Sequence, residues 1–469
     1  MSRPTLGPVM VAVLVLLTTA AAAVPLAGQG SSVYNHSACA SARAGATIAA
    51  PCGDGSSVYY NPGALAFQPS LIGAGLNVIM NEGSFTYDEG GVVVERERAA
   101  PVVPHGYLSV RFGADQRWAG SIGVWAPYGL GLEWPEEDFE GRFISWKTRL
   151  QGIYLQPTIS YQVIPGKLAI GAGPQIVFGG IEINQYIDAS TSDPRLSFLP
   201  LETELAKAKL EGSGTGYGAA VGFLYQASDR FSFGARYMHS VEVDLDGDAD
   251  FTRIMNPDIL VPDAVLPQPA GLLVPLDAVL DFLGIYDEGG SLDDQAVSAT
   301  LTFPAQAVAG IRFGATPELD IMADYQWTRW SSFDKITADF DNEGVQNLEL
   351  DLGYEDTHTF RLGGELAASP SVDLRGGFIY NTAASPDQSV TPILPEADRQ
   401  LYTFGIGYDL GAFQADAYYN YVNQADRRGR VRTSLPGVPA GSDALNVGVY
   451  STTAHLVGLT LSYAFGQTR

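Results

Sequence analysis

The sequence predicts an all-β fold, a 14-stranded antiparallel transmembrane β-barrel with an N-terminal hatch plugging its lumen. Three observations carry this reading. The first is two-faced alternation over unusual lengths. In FSFGARYMHSVEVDLD, Phe231–Asp246, the odd positions include Phe231, Phe233, Tyr237, Val241, Val243 and Leu245, and the even ones Ser232, Arg236, Glu242, Asp244 and Asp246. A period of two means a strand with unlike faces, and this one far exceeds the roughly 5–6 residues usual in water-soluble domains. The second is that tight turns alternate with long connections, which sorts the loops to opposite ends as in outer-membrane barrels. The third is an even number of such segments, with no apolar run beyond Ala23 reaching the ~18 residues a spanning helix needs.

Taken in chain order, residues 1–27 are read as a secretory signal. Arg3 is the positive start, Val9–Leu17 the apolar stretch, and Ala23 or Ala27 the cleavage position. Residues 28–68 are rich in small side chains and lack sustained alternation, which suits a plug inside a narrow barrel. Cys39 and Cys52 are the only two cysteines. In an exported chain they are expected to pair, a loop closure worth roughly 3 kcal/mol in the chain-entropy model; two free buried thiols are the alternative.

Residues 69–466 are read as the barrel. Its strands are Leu71–Met80, Gly106–Phe112, Arg117–Trp125, Thr148–Val163, Leu168–Phe178, Thr215–Ala227, Phe231–Asp246, Ala299–Phe313, Leu319–Thr328, Thr359–Leu366, Val372–Tyr380, Leu401–Leu410, Phe413–Val422 and Thr453–Phe465. Closure removes the unpaired edges that strands of this length would otherwise expose. The apolar face meets lipid and the polar face lines the lumen, which places Arg236, Glu242, Asp320, Asp324, Arg361, Glu365, Asp373, Arg375 and Asp416 inside. Their mixed signs point to pairing rather than to a single-sign ion filter.

In the long loops, Leu196–Gly212 and Leu272–Gly289 carry apolar residues at roughly helical spacing. Leu201, Leu205, Leu280 and Leu283 are read as ligand contacts on an external groove; loop helices that cap themselves are the alternative reading.

Several function classes are excluded or weakened. With 27 Lys and Arg against 52 Asp and Glu, the formal charge of −25 gives no basic surface for nucleic acid. GTGYGA at Gly214–Ala219 opens an alternating strand, so the helix that would cradle a dinucleotide phosphate is missing. The five histidines are scattered, and neither H-E-x-x-H nor G-x-S-x-G occurs. No catalytic residue, metal site or cofactor is therefore assigned. A general polar-solute porin remains the main rival, with a lipid-hydrolysing barrel enzyme behind it.

Several segments resemble the FadL/TodX family of outer-membrane transporters for long-chain fatty acids and other hydrophobic compounds. GDGSSVYYNPGALAF matches the family's hatch motif through Asp54, Asn61 and Pro62, although Gly63-Ala64 departs from the family's small pair. WAPYGLGLEW, TRWSSFDKI, SPDQSVTPILPEADRQLYTFGIGY and the terminal SYAF follow in family order and span nearly the whole chain. The resemblance implies outer-membrane localisation, capture of a hydrophobic small molecule by external loops, a hatch-gated pocket, and lateral exit through a kinked third strand. It also implies a monomer whose other partners are the outer-membrane lipids. In that strand Gly120 and Gly123 permit bending and Pro127 removes a ladder donor. Trp125 then faces inward as a pocket residue. Two departures stand out. GQTR continues beyond Phe465, and Glu182 occupies a position after the fifth strand where fatty-acid members carry a base, leaving room for uncharged hydrocarbons.

Overall fold

A computed structural model describes residues 33–192, 194–197, 199–200, 202–262, 273–333, 335–342, 347–429 and 447–466. The signal read at residues 1–27 lies outside them.

Fourteen antiparallel strands follow one another round a closed wall. They are β1 (Ser70–Tyr87), β2 (Val102–Phe112), β3 (Trp118–Glu133), β4 (Lys147–Ile164), β5 (Leu168–Asp188), β6 (Glu204–Ser228), β7 (Phe231–Met238 and Val241–Arg253), β8 (Gln295–Phe303 and Gln306–Gly314), β9 (Leu319–Thr328 and Lys335–Phe340), β10 (Leu348–Asp351 and Thr357–Ser369), β11 (Val372–Asn381), β12 (Arg399–Asp409), β13 (Phe413–Gln424) and β14 (Gly448–Phe465). β14 returns to pair with β1 from Ser70↔Phe465 to Tyr87↔Gly448, so the sheet closes on itself. All fourteen predicted strands are present, and many run further than their alternation indicated. β6 starts at Glu204 rather than Thr215, and β1 continues to Tyr87.

β7 corrects the reading of its own sequence. Below its break at His239–Ser240, Phe231, Phe233 and Tyr237 are exposed while Arg236 and Met238 are buried. Above it, Val241, Val243 and Leu245 are buried, and Glu242, Asp244 and Asp246 are exposed. Between Ala220↔Met238 and Ser213↔Asp246, β7 uses one more residue than β6. That bulge turns every later side chain to the other face. Glu242 therefore points outward, not into the lumen. The change of face has a physical reason. Above the lipid band the outside is water, so the acids belong there, and the apolar set is free to line the interior.

The remaining predicted lumen charges do face inward. Arg375 meets Glu365 at 2.5 Å, Asp416 at 2.5 Å and Asp373 at 3.2 Å, and Arg312 meets Asp320 at 2.7 Å. Replacing Arg375 by Met is expected to cost about 3–5 kcal/mol, because it leaves Asp416 and Glu365 without their shared counter-charge. The check is the temperature at which the barrel loses its compact migration on a denaturing gel; an unchanged temperature refutes the estimate.

Candidate functional site

Inside the wall, the N-terminal segment from Val33 to Ala66 is almost entirely buried. It has two short helices, α1 (Ala38–Ala42) and α2 (Ser57–Tyr60), followed by a 3-10 turn over Pro62–Phe67. Most of its backbone is irregular and needs partners for its polar groups. The polar faces of the strands supply them. Gln156 Nε2 donates to Val58 O at 3.0 Å, Ser160 Oγ to Gly63 O at 3.1 Å, Ser232 Oγ to Ala49 O at 2.7 Å and Thr403 Oγ1 to Ala42 O at 3.0 Å. The Asp324 carboxylate accepts from the Thr47 and Ile48 N–H groups at 2.9 and 3.1 Å. Arg236 donates to Tyr59 O at 2.8 Å and lies over the Tyr59 ring at 4.5 Å, and Arg43 forms an ion pair with Glu365 at 3.3 Å. Charges expected to pair across the lumen thus also grip this segment.

The residues of the hatch motif are at the centre of that seat. Asp54 is fully buried; it accepts from Ser37 Oγ and from the Ser56 N–H and Oγ at 3.0 and 2.6 Å. Asn61 caps the 3-10 turn by accepting from Gly63 N at 3.1 Å, and its Nδ2 donates to Ile48 O at 2.7 Å and Phe223 O at 2.9 Å. Pro62 lies against β5 so closely that a Cβ on Gly171 would meet Pro62 O at 2.3 Å. Only a residue without a side chain fits that approach. Cys39 and Cys52 form a disulfide, with an S–S distance of 2.05 Å.

Above this segment lies a continuous aromatic cluster. Trp125 is 1% exposed and packs on Tyr59 of α2 at 5.7 Å between ring centroids and on Tyr154 at 6.4 Å. Tyr128 continues the cluster to Phe303 at 5.2 Å and Trp330 at 5.9 Å. Val241, Val243 and Leu245, turned inward by the β7 bulge, belong to the same cluster. Trp125 Nε1, Tyr154 Oη and Trp330 Nε1 are buried and have no hydrogen-bond partner among the described residues. Three unmet donors within one apolar cluster are costly unless something supplies an acceptor.

The third strand interrupts the wall. β2 and β3 pair from Phe112↔Trp118 up to Gly106↔Val124 and no further. β3 continues in a ladder with β4, with a bulge between Trp125 and Tyr128 that contains Pro127, and on its other side is met again only at its end, where Glu97 N donates to Glu133 O at 2.8 Å. The Pro127 carbonyl accepts from Val33 N at 2.7 Å, and Val33 packs in a cluster with Val103 and Ala126. The start of the described N-terminal segment therefore sits at the gap. Gly120 and Gly123 flank this region with opposite orientations. A Cβ at Gly123 would meet Trp125 and Tyr107 at 2.9 Å and Val58 at 3.1 Å, whereas one at Gly120 meets only Phe112 at 3.5 Å.

The loop leucines are arranged differently from the expectation. Leu201 lies outside the described residues. Leu205 is in β6, because Glu204–Gly212 pairs with β5 on one side and β7 on the other. Its alternation of Lys207, Lys209 and Glu211 with Ala206, Ala208 and Leu210 outweighs the helical spacing. The helical reading holds for α3 (Leu276–Phe282). Leu205, Leu276, Val279 and Leu280 are all fully buried in one loop core, with Leu283 packed at its edge. Burying these side chains against one another removes apolar surface from water at about 25 cal/mol per Å². Among its described residues, this loop exposes the apolar side chains of Met255, Leu260 and Phe282.

A family profile described as outer membrane protein transport protein (OMPP1/FadL/TodX) matches residues 15–465. The chain belongs to this family. It is 22% identical to outer membrane protein P1 of Haemophilus influenzae, over 75% of this chain and 73% of that protein. A 47 kDa outer membrane protein of Pasteurella multocida is 24% identical over 78% of each chain. Among solved structures, a Pseudomonas aeruginosa FadL homologue superposes with a TM-score of 0.77 at 20% identity, covering 94% of this chain and all of that one. The Pseudomonas putida toluene transporter TodX gives 0.68 at 18% identity, covering 93% and 100%. The chain is therefore an outer-membrane protein of a transport family with a shared barrel fold, not an enzyme.

In this FadL/TodX member, sequence reading turned Trp125 inward but did not anticipate that Tyr154, Phe303 and Trp330 pack in the same cluster. Phe303 stands at the β8 break next to Pro304, and Trp330 just beyond the first part of β9. An aromatic residue at an interruption in an alternating strand was the available signal.

Proposed function

We propose that this chain takes up hydrophobic compounds, long-chain fatty acids or neutral hydrocarbons, as a normally closed monomeric channel surrounded by outer-membrane lipids. The observation that carries the reading is the aromatic cluster round Trp125, which rests directly on Tyr59 of the buried N-terminal segment. A packed aromatic lining stacked on the N-terminal segment suits a hydrophobic guest once that segment shifts, whereas a polar-solute porin keeps a water-filled lumen. In this reading the N-terminal segment is the hatch, with Asp54, Asn61 and Pro62 holding it shut. Capture begins at the external loops, where the Leu205–Leu280 core must part or the exposed Met255, Leu260 and Phe282 must serve. Exit runs sideways between β2 and β3, where ladder pairing stops above Gly106↔Val124.

Glu182, at the position where a fatty-acid carrier is expected to place a base, is engaged by Lys147 at 3.0 Å and Arg149 at 3.3 Å. Glu182 lies on the outer face of the wall beside the outward Asp246, so this position supplies no base to the lumen, and the description of TodX as a toluene transporter favours an uncharged guest. The test compares uptake of a neutral aromatic hydrocarbon and of oleate by cells with and without the protein, beside bilayer conductance. Hydrophobic uptake without steady current supports the proposal. Large steady currents with no hydrocarbon or oleate uptake support the porin instead.

A further inference from the structure

The aromatic cluster above the N-terminal segment is short of hydrogen-bond acceptors. Tyr128 is its satisfied member: the hydroxyl donates to Pro304 O at 2.7 Å and accepts from Gln306 Nε2 at 2.8 Å. Trp125, Tyr154 and Trp330 are at most 1% exposed, and Nε1, Oη and Nε1 have no such partner among the described residues. The three are linked ring to ring. Trp125 stacks on Tyr154 at 6.4 Å, and Tyr154 and Trp330 both pack on Tyr128, at 6.0 and 5.9 Å. An indole N–H can only donate, and a phenol O–H can donate too, so the deficit is one-sided. The open acceptor two residues nearer the tight turn than Val177, Gln175 Oε1, belongs to the pair with Gln156 and bonds none of the three. Phenylalanine would fill these positions without a donor, and the cluster already uses it at Phe303 and Phe333.

We infer that the guest of this cluster is a neutral hydrophobic compound carrying an acceptor oxygen, such as a ketone or an ester, in preference to a plain hydrocarbon or an ionised acid. The inference rests on the uptake reading above and names the class of compound within it. A carbonyl oxygen gives the donors a partner that an isosteric hydrocarbon leaves out, and sites with buried polar groups reject analogues that cannot pair with them. An ionised acid fits less well. Arg236, the base at the foot of the cluster, commits Nη1 to Tyr59 O at 2.8 Å and Nη2 to Gln306 Oε1 at 2.6 Å, and lies over the Tyr59 ring. Only its Nε is open, one more donor without a fork for a carboxylate.

The experiment is isothermal titration calorimetry of the full-length protein in nanodiscs with acetophenone and with ethylbenzene, which has a methylene in place of the carbonyl. The quantity read is the ratio of the two affinities, since partition of each compound into the bilayer is the same for every variant. Tyr154→Phe and Trp330→Phe are each expected to lower the acetophenone-to-ethylbenzene ratio at least fivefold. Tyr128→Phe, which removes a hydroxyl already bonded on both sides, should not lower it. Tyr154→Phe should also keep or raise the temperature at which the barrel loses its compact migration, whereas Tyr128→Phe lowers it. A ratio unchanged in both Tyr154→Phe and Trp330→Phe, binding of ethylbenzene without acetophenone, or tighter binding of benzoate than of acetophenone overturns the inference and leaves hydrophobic uptake standing. Binding of neither neutral compound overturns the uptake reading, and this inference falls with it.

Discussion

Gly123→Trp is expected to reduce uptake of hydrophobic compounds by at least tenfold while the barrel still assembles. Gly123 is on the inward register of β3, where its missing side chain leaves room for Trp125, Tyr107 and Val58; a Cβ alone would approach them to between 2.9 and 3.1 Å. An indole there must displace Trp125 from Tyr59 or press α2 away from the wall. Overpacking of this kind typically costs about 1–3 kcal/mol, which the 18-pair β1–β14 seam and the rest of the ladder can absorb. The substitution therefore acts on the pocket and on the β2–β3 gap more than on assembly. Gly120→Trp is the matched control. Its side chain points to the lipid face beside Phe112, and uptake should stay near wild type. Gel migration before and after heating reports assembly, and radiolabelled substrate reports uptake. Wild-type uptake by a well-folded Gly123→Trp protein would remove both Trp125 and the third strand from the proposed route.

The wall was legible in the sequence because one face of each strand meets lipid and the other meets polar groups, and that difference is written at every second residue. The inward direction of Trp125 followed from the same parity, given Trp118, Ile122 and Val124 on the other face. The turn of β7 was not legible. Its alternation continues unbroken from Phe231 to Leu245, and the bulge at His239–Ser240 is a backbone event that changes faces without changing the pattern. Only the switch of outer solvent from lipid to water explains why acids then face out. The strand conformation of Leu205 was hidden for a related reason. Leu196–Gly212 carries helical spacing at Leu201 and Leu205 and alternation from Ala206 to Glu211, and the decision fell to the ladders offered by β5 and β7, which lie in other parts of the chain. The aromatic cluster draws on β3, β4, β8 and the end of β9, so no local window contains it.

Asn61→Ala is expected to turn a nearly silent protein into one with frequent openings in planar bilayers. Asn61 has no exposed surface, and its side chain makes three bonds that hold the segment to itself and to β6: one from Gly63 N, and two to the carbonyls of Ile48 and Phe223. Truncation leaves an N–H and two carbonyls buried without these partners, at about 1–3 kcal/mol each. Asn61→Asp should be at least as severe, since it turns an acceptor toward two carbonyl oxygens. Pro62→Ala should be mild, because it changes mainly the freedom of the unfolded chain, about 0.4–1 kcal/mol. The wall itself is untouched in all three, as its strands pair with one another and β14 still closes on β1. Conductance should therefore rise in the order Pro62→Ala, Asn61→Ala, Asn61→Asp while heat-resistant migration stays constant. That ranking separates a gate from a filler. A segment that only occupied space would lose stability in the same order and stay electrically silent, and the hatch would then have to be given up even if the barrel transports.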